Sequence, residues 1–540
     1  MRKSSRTAAS VRQDGGVPAA AYAGIAGRIP GVIRGSSALL ATVTAALLSI
    51  CWLVLPHSGS DLAAQVAHAD FFSAYGWFPI DMRWFGGTDV FGYSLIGPWL
   101  MSWLGVGAVG VLATIAGSAL WGILLARCEV PHPRAGALLG AGCLVGNLAV
   151  GRLTFAIGVA AALATLLCLW LPRRWRLPLL VLGTVLTWAA SPLAALFLAM
   201  VGTALVVRRR VADGVALTVT TGMLLLVMAA IGGGGIMPMS GSDLIRGLVA
   251  CGMVAVVTRY PIVRVVAGLS ALSLVLAFVI QTPVGGNAIR FPAIFAVPVA
   301  LATSRFRWPL LLPALVLSLL IVPPLNASDV SMANQPADDV TYFAGLNHEL
   351  ASLQLTGRVE VVPTWNRWET AYVANTVPLA RGWMTQVDRA HNELFFDNAV
   401  TSRTYLTWLR NNGVQYVALS DSPPSNQGVS ERQLIETHPA YLRPVWNDAH
   451  WTLYAVRRAT TTVSGAGLIN QGSTSVSFAA AQPGTVLVRV RWSRWLTLQG
   501  PAGCLAPWRS WTSVVVRTPG VYRLSSQLVP GAAHATCSVP

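Results

Sequence analysis

From about residue 37 to residue 325 the chain repeats one pattern: apolar runs of roughly 15–25 residues broken by short loops that carry arginine. After Asn326 the runs give way to shorter, mixed segments. A bilayer-spanning half followed by a water-facing half is the organisation this pattern predicts.

The arginines set the sense of insertion. Arg2, Lys3, Arg6, Arg12, Arg28 and Arg34 crowd the first 36 residues. Later clusters stand at Arg127 and Arg134, at Arg173, Arg174 and Arg176, at Arg208 to Arg210, at Arg259 and Arg264, and at Arg305 and Arg307. All are assigned to the cytoplasmic side, leaving only Arg83, Arg152, Arg246 and Arg290 outside.

Between successive inside clusters the chain must cross an even number of times. Segments 135–172 and 177–207 are therefore hairpins, turning near Gly151 and at Ser191-Pro192. A first span at 37–55, its return before Arg127, and spans at 211–231, 244–258, 263–281, 291–304 and 308–325 bring the count to eleven. The arms of the second hairpin, about 15 residues or roughly 22 Å each, are short for a full crossing. "AHA" at 67–69 mimics a signal-peptide cleavage site, but it lies well beyond the first apolar run, and the run is read as an anchor.

The predicted domains are a cytoplasmic tail (1–36), a membrane domain (37–325) with an acidic outer loop (56–92), an extracytoplasmic α/β domain (326–458) and a β-rich domain (459–540). In the third, "GRVEVVP", "VQYVALS" and "WTLYAVRR" read as strands, and "DDVTYFAGLNHELASL" and "SRTYLTWLRNNG" as helices. In the fourth, "STSVSFAA", "GTVLVRVRW", "SWTSVVVRT" and "GVYRLSSQLV" alternate as in a small β-sandwich.

Composition agrees and removes alternatives. The chain is 54% hydrophobic and 11% charged, with mean hydropathy +0.57, too apolar for a soluble protein of 540 residues. Its net charge of +17 does not imply nucleic acid, because 22 of the 38 cationic residues precede residue 326 and sit at span ends as topology signals. Five cysteines fall in or beside apolar runs. Cys504 and Cys537 stand apart in the tail and would pair in an oxidising compartment.

Eight acids precede residue 326, and none falls in the middle of a span, which argues against an ion-coupled transporter. Four of them, Asp61, Asp70, Asp81 and Asp89, gather in the loop after the first span. Ser58 or Ser60 is placed to cap a helix from Asp61 that carries Asp61, Gln65, His68 and Phe72 on one face. Leu62, Val66 and Ala69 on another suggest a helix lying on the membrane surface. Asp81 and Asp89 are read as solvating the loop.

An outer loop with an early Asp, a His two turns on, and the stretches "MRWFGG" and "FGYSLIGPWL" resembles the integral-membrane GT-C type glycosyltransferases and related bacterial multi-span proteins. The resemblance implies transfer of a sugar from a polyprenyl-phosphate donor to a cell-envelope glycan or glycolipid at the outer face of the plasma (inner) membrane. It implies Asp61 as the base, with Asp70 the alternate. His68, Arg83 and Trp84 are assigned to substrate. Arg290, in "GGNAIRFPAIF", is assigned to the carrier phosphate, and Arg152 and Arg246 follow it as weaker candidates. The family's frequent adjacent acid pair is not present.

A divalent cation such as Mg²⁺ or Mn²⁺ could be held by the loop acids, though their spacing does not demand one. The sequence shows no P-loop, dinucleotide fingerprint, HExxH or nucleophile elbow. The alternative reading is a non-catalytic envelope-assembly or lipid-handling membrane protein whose tail binds partners.

Overall fold

The computed structural model describes residues 31–306 apart from 56–58, 60 and 232–233, and residues 327–528 with positions 316, 323, 325 and 537. Most of the N-terminal tail, the span expected at 308–325, and Ser58 and Ser60 therefore lie outside the described residues.

The apolar runs form a helical bundle: α1 (Gly31–Val54), α4 (Val106–Arg127), α5 (Pro133–Ala149), α6 (Leu153–Leu167), α7 (Arg173–Ala190), α8 (Pro192–Val207), α9 (Val211–Ile231), α10 (Gly241–Val257), α11 (Pro261–Val279) and α12 (Arg290–Thr303). Between α1 and α4 lie α2 (Leu62–Tyr75) and the short α3 (Gly97–Leu104). Among the described residues, six helical segments are long and apolar enough to cross a membrane: Ser36–Val54, Val106–Arg127, Leu153–Trp170, Val211–Ala230, Pro261–Val279 and Gly285–Thr303. The chain is a multi-pass membrane protein. The helices α5, α7, α8 and α10 occupy the places of the other expected spans, but each is either too short or, in α7, opened by three arginines.

Small residues let these helices approach. A Cβ on Gly140 would lie 2.2 Å from the Trp121 indole nitrogen, and that nitrogen donates to the Gly136 carbonyl at 3.0 Å, so α4 and α5 are in close contact. At one end of the bundle Asp213, buried at the start of α9, pairs with Arg176 at 3.0 Å and Arg210 at 2.7 Å. At the same end the Tyr260 hydroxyl donates to the Glu129 carbonyl. The first loop and the tail occupy the opposite end.

The α2 helix is not a surface helix, which corrects the amphipathic reading. Leu62, Ala63, Ala64, Gln65, Ala67, His68, Ala69 and Phe71 are all buried, because the tail covers the helix from above and packs Trp368, Ala371 and Trp383 into the same core. Ala67–Ala69, the cleavage-like triplet, lies inside it. Exposed aromatics gather on α3 instead, where Trp99 and Trp103 stack at 6.4 Å with Trp103 80% exposed.

The loop continues as a hairpin of β1 (Ile80–Asp81) and β2 (Thr88–Asp89). In the tail, β3 (Arg358–Val361), β4 (Val414–Ser420), β5 (Leu442–Asn447) and β6 (Trp451–Val456) form a mixed sheet in the order β3-β4-β6-β5, with β3 and β4 parallel. A two-sheet sandwich follows: β7 (Val463–Ser464), β8 (Gly467–Gln471), β9 (Val476–Ala480), β10 (Gly484–Arg491), β11 (Leu496–Gln499), β12 (Gly503–Trp508), β13 (Trp511–Val516) and β14 (Gly520–Ser526). Its sheets run β12-β13-β10-β7 and β11-β14-β9-β8, with Phe478, Val488, Val514 and Tyr522 between them, and Cys504 is joined to Cys537 by a disulfide.

The hairpin is part of that sandwich. Ile80 and Met82 sit in its core, the Met82 amide donates to the Ser473 carbonyl at 2.8 Å, and the Arg491 amide donates to that of Gly86 at 2.7 Å.

The α/β domain buries a charge cluster of four carboxyls, Glu360, Glu369, Asp388 and Glu431, against two guanidiniums, Arg367 and Arg381. Arg381 grips Asp388 through both nitrogens at 3.1 and 3.2 Å and Glu431 at 3.0 Å, and Tyr405 donates to Glu431 at 2.7 Å. With two acids more than bases, burial keeps protons on: it pushes Glu369 up to about 7, and it raises Glu360 and Glu431 as well.

A raised carboxyl pKa contributes stability that is full below the unfolded value near 4.3 and is lost as pH rises through the folded one. His68 and His391, pushed down to about 4 chiefly by burial, act oppositely, costing stability as pH falls below about 6.5. Three raised carboxyls outweigh two lowered imidazoles, so the thermal unfolding midpoint of the intact protein in detergent should fall as pH rises from about 5 to 7, less steeply in Glu431→Gln. A midpoint that climbs between about pH 5 and 7 would contradict this.

Candidate functional site

Asp61 is set by a close fit between two loops. Gly59 (φ +116°) and Gly151 (φ +84°) let the start of α2 lie against the α5–α6 turn, and the Asp61 amide donates to the Val150 carbonyl at 3.3 Å. A Cβ on Gly151 would fall 2.5 Å from the Leu62 nitrogen, so no larger residue permits that approach.

The same turn presents Arg152, whose Nε lies 3.2 Å from Asp61 Oδ2. Arg290, the first residue of α12, brings Nη2 to 3.3 Å from the same oxygen. Three segments far apart in sequence thus meet on one carboxylate oxygen at the end of the bundle that carries the first loop and the tail. The cluster carries one net positive charge in a nearly buried setting, with the Arg290 guanidinium lying 5.8 Å over the Phe155 ring. Such a site attracts an oxyanion, since each guanidinium has donors to spare after binding one oxygen of Asp61.

Neutral polar groups surround it. The Gln65 amide nitrogen donates to the Tyr93 hydroxyl at 2.6 Å and reaches the Asp61 carbonyl at 3.5 Å. Burial, reinforced by the Asp61 charge, raises the Tyr93 phenol and keeps it protonated. His68 stacks on Tyr93 with centroids 5.2 Å apart and meets Trp84 edge-on at 5.4 Å. Burial pushes the His68 imidazole down to about 4, Arg83 adding to the effect and Asp81 opposing it, so the ring is neutral near pH 7. Three buried polar atoms here have no hydrogen-bond partner among the described residues: Gln65 Oε1, His68 Nε2 and Asn147 Oδ1.

Several expected site residues are placed elsewhere. Arg83 is buried and committed, with Nε and Nη2 on the Asp81 carboxylate, Nη1 on Asn375 and Nη2 on the Ala67 carbonyl. It ties the loop to the tail, and four of its five N–H donors are spent on protein groups. Trp84 is fully buried, donating to the Thr370 carbonyl at 3.0 Å. Asp81 does not solvate the loop: it is fully buried as the partner of Arg83. Asp89 is largely buried too, its carboxyl pushed up to about 6 by desolvation against a bond from Ser493.

Asp70 is exposed and accepts from Asn375 at 3.2 Å, at the far end of α2 from Asp61. Arg246 is 54% exposed and faces Asp243 one turn away on α10. Arg152, ranked behind Arg290 in the sequence, is its equal in the structure. Tyr93 carries no local signal, for only folding brings residue 93 beside Asp61.

The donor set does not suit a divalent cation. Asp61 lies between two guanidiniums, Asp81 is paired with Arg83, and among the described residues no group of three or more His, Cys, Asp or Glu side chains converges.

No family model matches the chain, and no curated protein matches it. Among solved structures, it superposes on the single-particle cryo-EM structure of the arabinofuranosyltransferase AftD from Mycobacteria with a TM-score of 0.42 and 14% identity. The match covers 92% of this chain and 60% of that one, so the chain spans less than two thirds of that protein's length. At that similarity the likeness says nothing of residues or chemistry.

Replacing Gly151 by Ala puts a side chain in the left-handed region and into Leu62, at a cost of about 2–4 kcal/mol from strain and overpacking. Thermal unfolding in detergent should register that loss. A Gly151→Ala protein as stable as wild type would mean that the α2 start and the α5–α6 turn are not in contact.

Proposed function

We propose that the chain is a membrane glycosyltransferase of the cell envelope, moving a sugar from a polyprenyl-phosphate donor to a glycan or glycolipid at the extracytoplasmic face, with the tail on that same side. The observation that carries this reading is Asp61 Oδ2 shared between Arg152 and Arg290 at the end of the bundle opposite the Asp213 cluster.

The chemistry follows from those groups. An acceptor hydroxyl oxygen attacks the anomeric carbon, the bond from that carbon to the phosphate oxygen breaks, and the hydroxyl proton passes to a carboxylate. Asp61 is the carboxylate at the site. The phosphate departs already anionic, so it needs cationic hydrogen-bond donors rather than an acid, and Arg290 and Arg152 supply them.

The carrier chain would lie along the apolar exterior of the bundle, level with the exposed Trp99 and Trp103 of α3. A non-catalytic lipid-handling protein would need the same arginines for a lipid phosphate but no carboxylate among them. Asp61 is what favours an enzyme.

Transfer of radiolabelled sugar from a polyprenyl-phosphate donor to envelope acceptors should fall by about 10²–10⁴-fold in Asp61→Asn, the usual contribution of a general base. Arg290→Gln should chiefly raise the KM for the donor. Equal transfer by wild type and Asp61→Asn would remove the base role, and a wild type without transfer to any envelope acceptor would favour the lipid-handling reading.

A further inference from the structure

The phenol of Tyr93 is more constrained than an ordinary interior tyrosine. Its oxygen has two lone pairs and one proton. Gln65 Nε2 occupies one lone pair at 2.6 Å, a contact that leaves the phenolic proton unused, and the same amide nitrogen reaches the Asp61 carbonyl at 3.5 Å. The phenol is thereby tied through one amide to the residue that holds Arg152 and Arg290.

The ring is fixed from both sides. His68 stacks on it nearly parallel, at 5.2 Å and 22°, and Trp383 meets it edge-on at 6.4 Å. Trp383 comes from the tail, on a strap that crosses the first loop. The Leu379 amide donates to the Arg83 carbonyl at 2.7 Å, Gly382 lies flush on the Trp84 ring, and Arg367 Nη1 holds the carbonyls of Gly382 and Trp383 at 3.3 and 3.2 Å. Beyond Trp383 the Gln386 carbonyl accepts from the Ile236 amide in the α9–α10 loop. The tail thus reaches over the membrane site and touches it through one indole.

We propose that Tyr93 is the neutral third donor of the phosphate site, giving its phenolic proton to a phosphate oxygen held by Arg152 and Arg290, and that Trp383 is the tail's positioning residue for it. This rests on the reading of the arginine pair as a phosphate site. It makes the tail a working part of that site, beyond any binding of partners.

The test is equilibrium binding of tritiated decaprenyl phosphate and of neutral decaprenol to the full chain in lipid nanodiscs. Wild type should prefer the phosphate, and Arg290→Gln should lose that preference. Tyr93→Phe, which keeps both ring contacts, should bind the phosphate about tenfold more weakly or worse and the alcohol unchanged, as expected for losing a hydrogen bond to a charged group. Trp383→Ala should weaken phosphate binding partially, and Trp383→Phe should restore it, a rescue that general loosening of the tail would not give.

Phosphate binding by Tyr93→Phe equal to wild type, with Arg290→Gln impaired, overturns the role of Tyr93 and leaves the phosphate site standing. No preference for phosphate over alcohol in wild type overturns the site and this inference together. If Tyr93→Phe does not fold, the Trp383 pair decides: Trp383→Ala binding like wild type overturns the proposal.

Discussion

One carboxylate oxygen organises the end of the helical bundle that faces the tail. Asp61 Oδ2 receives guanidinium groups from the α5–α6 turn and from the start of α12, so the first loop, the middle of the bundle and its last described helix meet in a single electrostatic node. Two guanidiniums this little exposed would repel each other strongly in a medium of low effective dielectric. The anion between them makes their approach tolerable, and it does so incompletely. The remaining positive charge is what gives the node a use, because a second anion completes the neutralisation.

Placing that oxygen takes unusual backbone rather than unusual side chains. Gly59 and Gly151 remove the Cβ atoms that would hold α2 away from the turn. The buried pair of Asp81 and Arg83, with Asn375 and the Ala67 carbonyl completing the arginine's hydrogen bonds, then fastens the loop to the tail. Two ion pairs in one loop therefore do different jobs. The partly open one at Asp61 leaves several donors available, whereas the sealed one at Asp81 leaves a single Nη1 hydrogen on a buried guanidinium.

The fold class was readable because its signals are local and periodic: the arginine-bounded apolar runs give α4 to α12 near their observed places, and alternation gives β4, β6, β9, β10, β13 and β14. At the site, Asp61 and Arg290 stood out because acids and outward arginines are rare in this half of the chain. What escaped were facts of tertiary origin. Asp81, Arg83 and Trp84 look like exposed loop chemistry until the sandwich and the α/β domain enclose them. Tyr93, an ordinary aromatic in "FGYSL", acquires meaning only beside Gln65 and Trp383. The same enclosure turned α2 from an expected surface helix into a core one, since a sequence pattern cannot show what later part of the chain will cover it.

The hairpin seated in the sandwich sets an order of events during synthesis. The Arg491 side chain donates to the Phe85 carbonyl across 406 residues, and Met82 and Ile80 belong to a core otherwise built from residues beyond 460. At about 5–20 residues per second, the ribosome needs roughly 20–80 s to supply those partners after the first loop has emerged. During that interval Asp81, Arg83 and Trp84 have no tail to enclose them, and the membrane half can insert without a finished site. The enzyme as proposed is inert until its last domain has crossed the membrane, so incomplete chains would carry the arginines of the site without its roof.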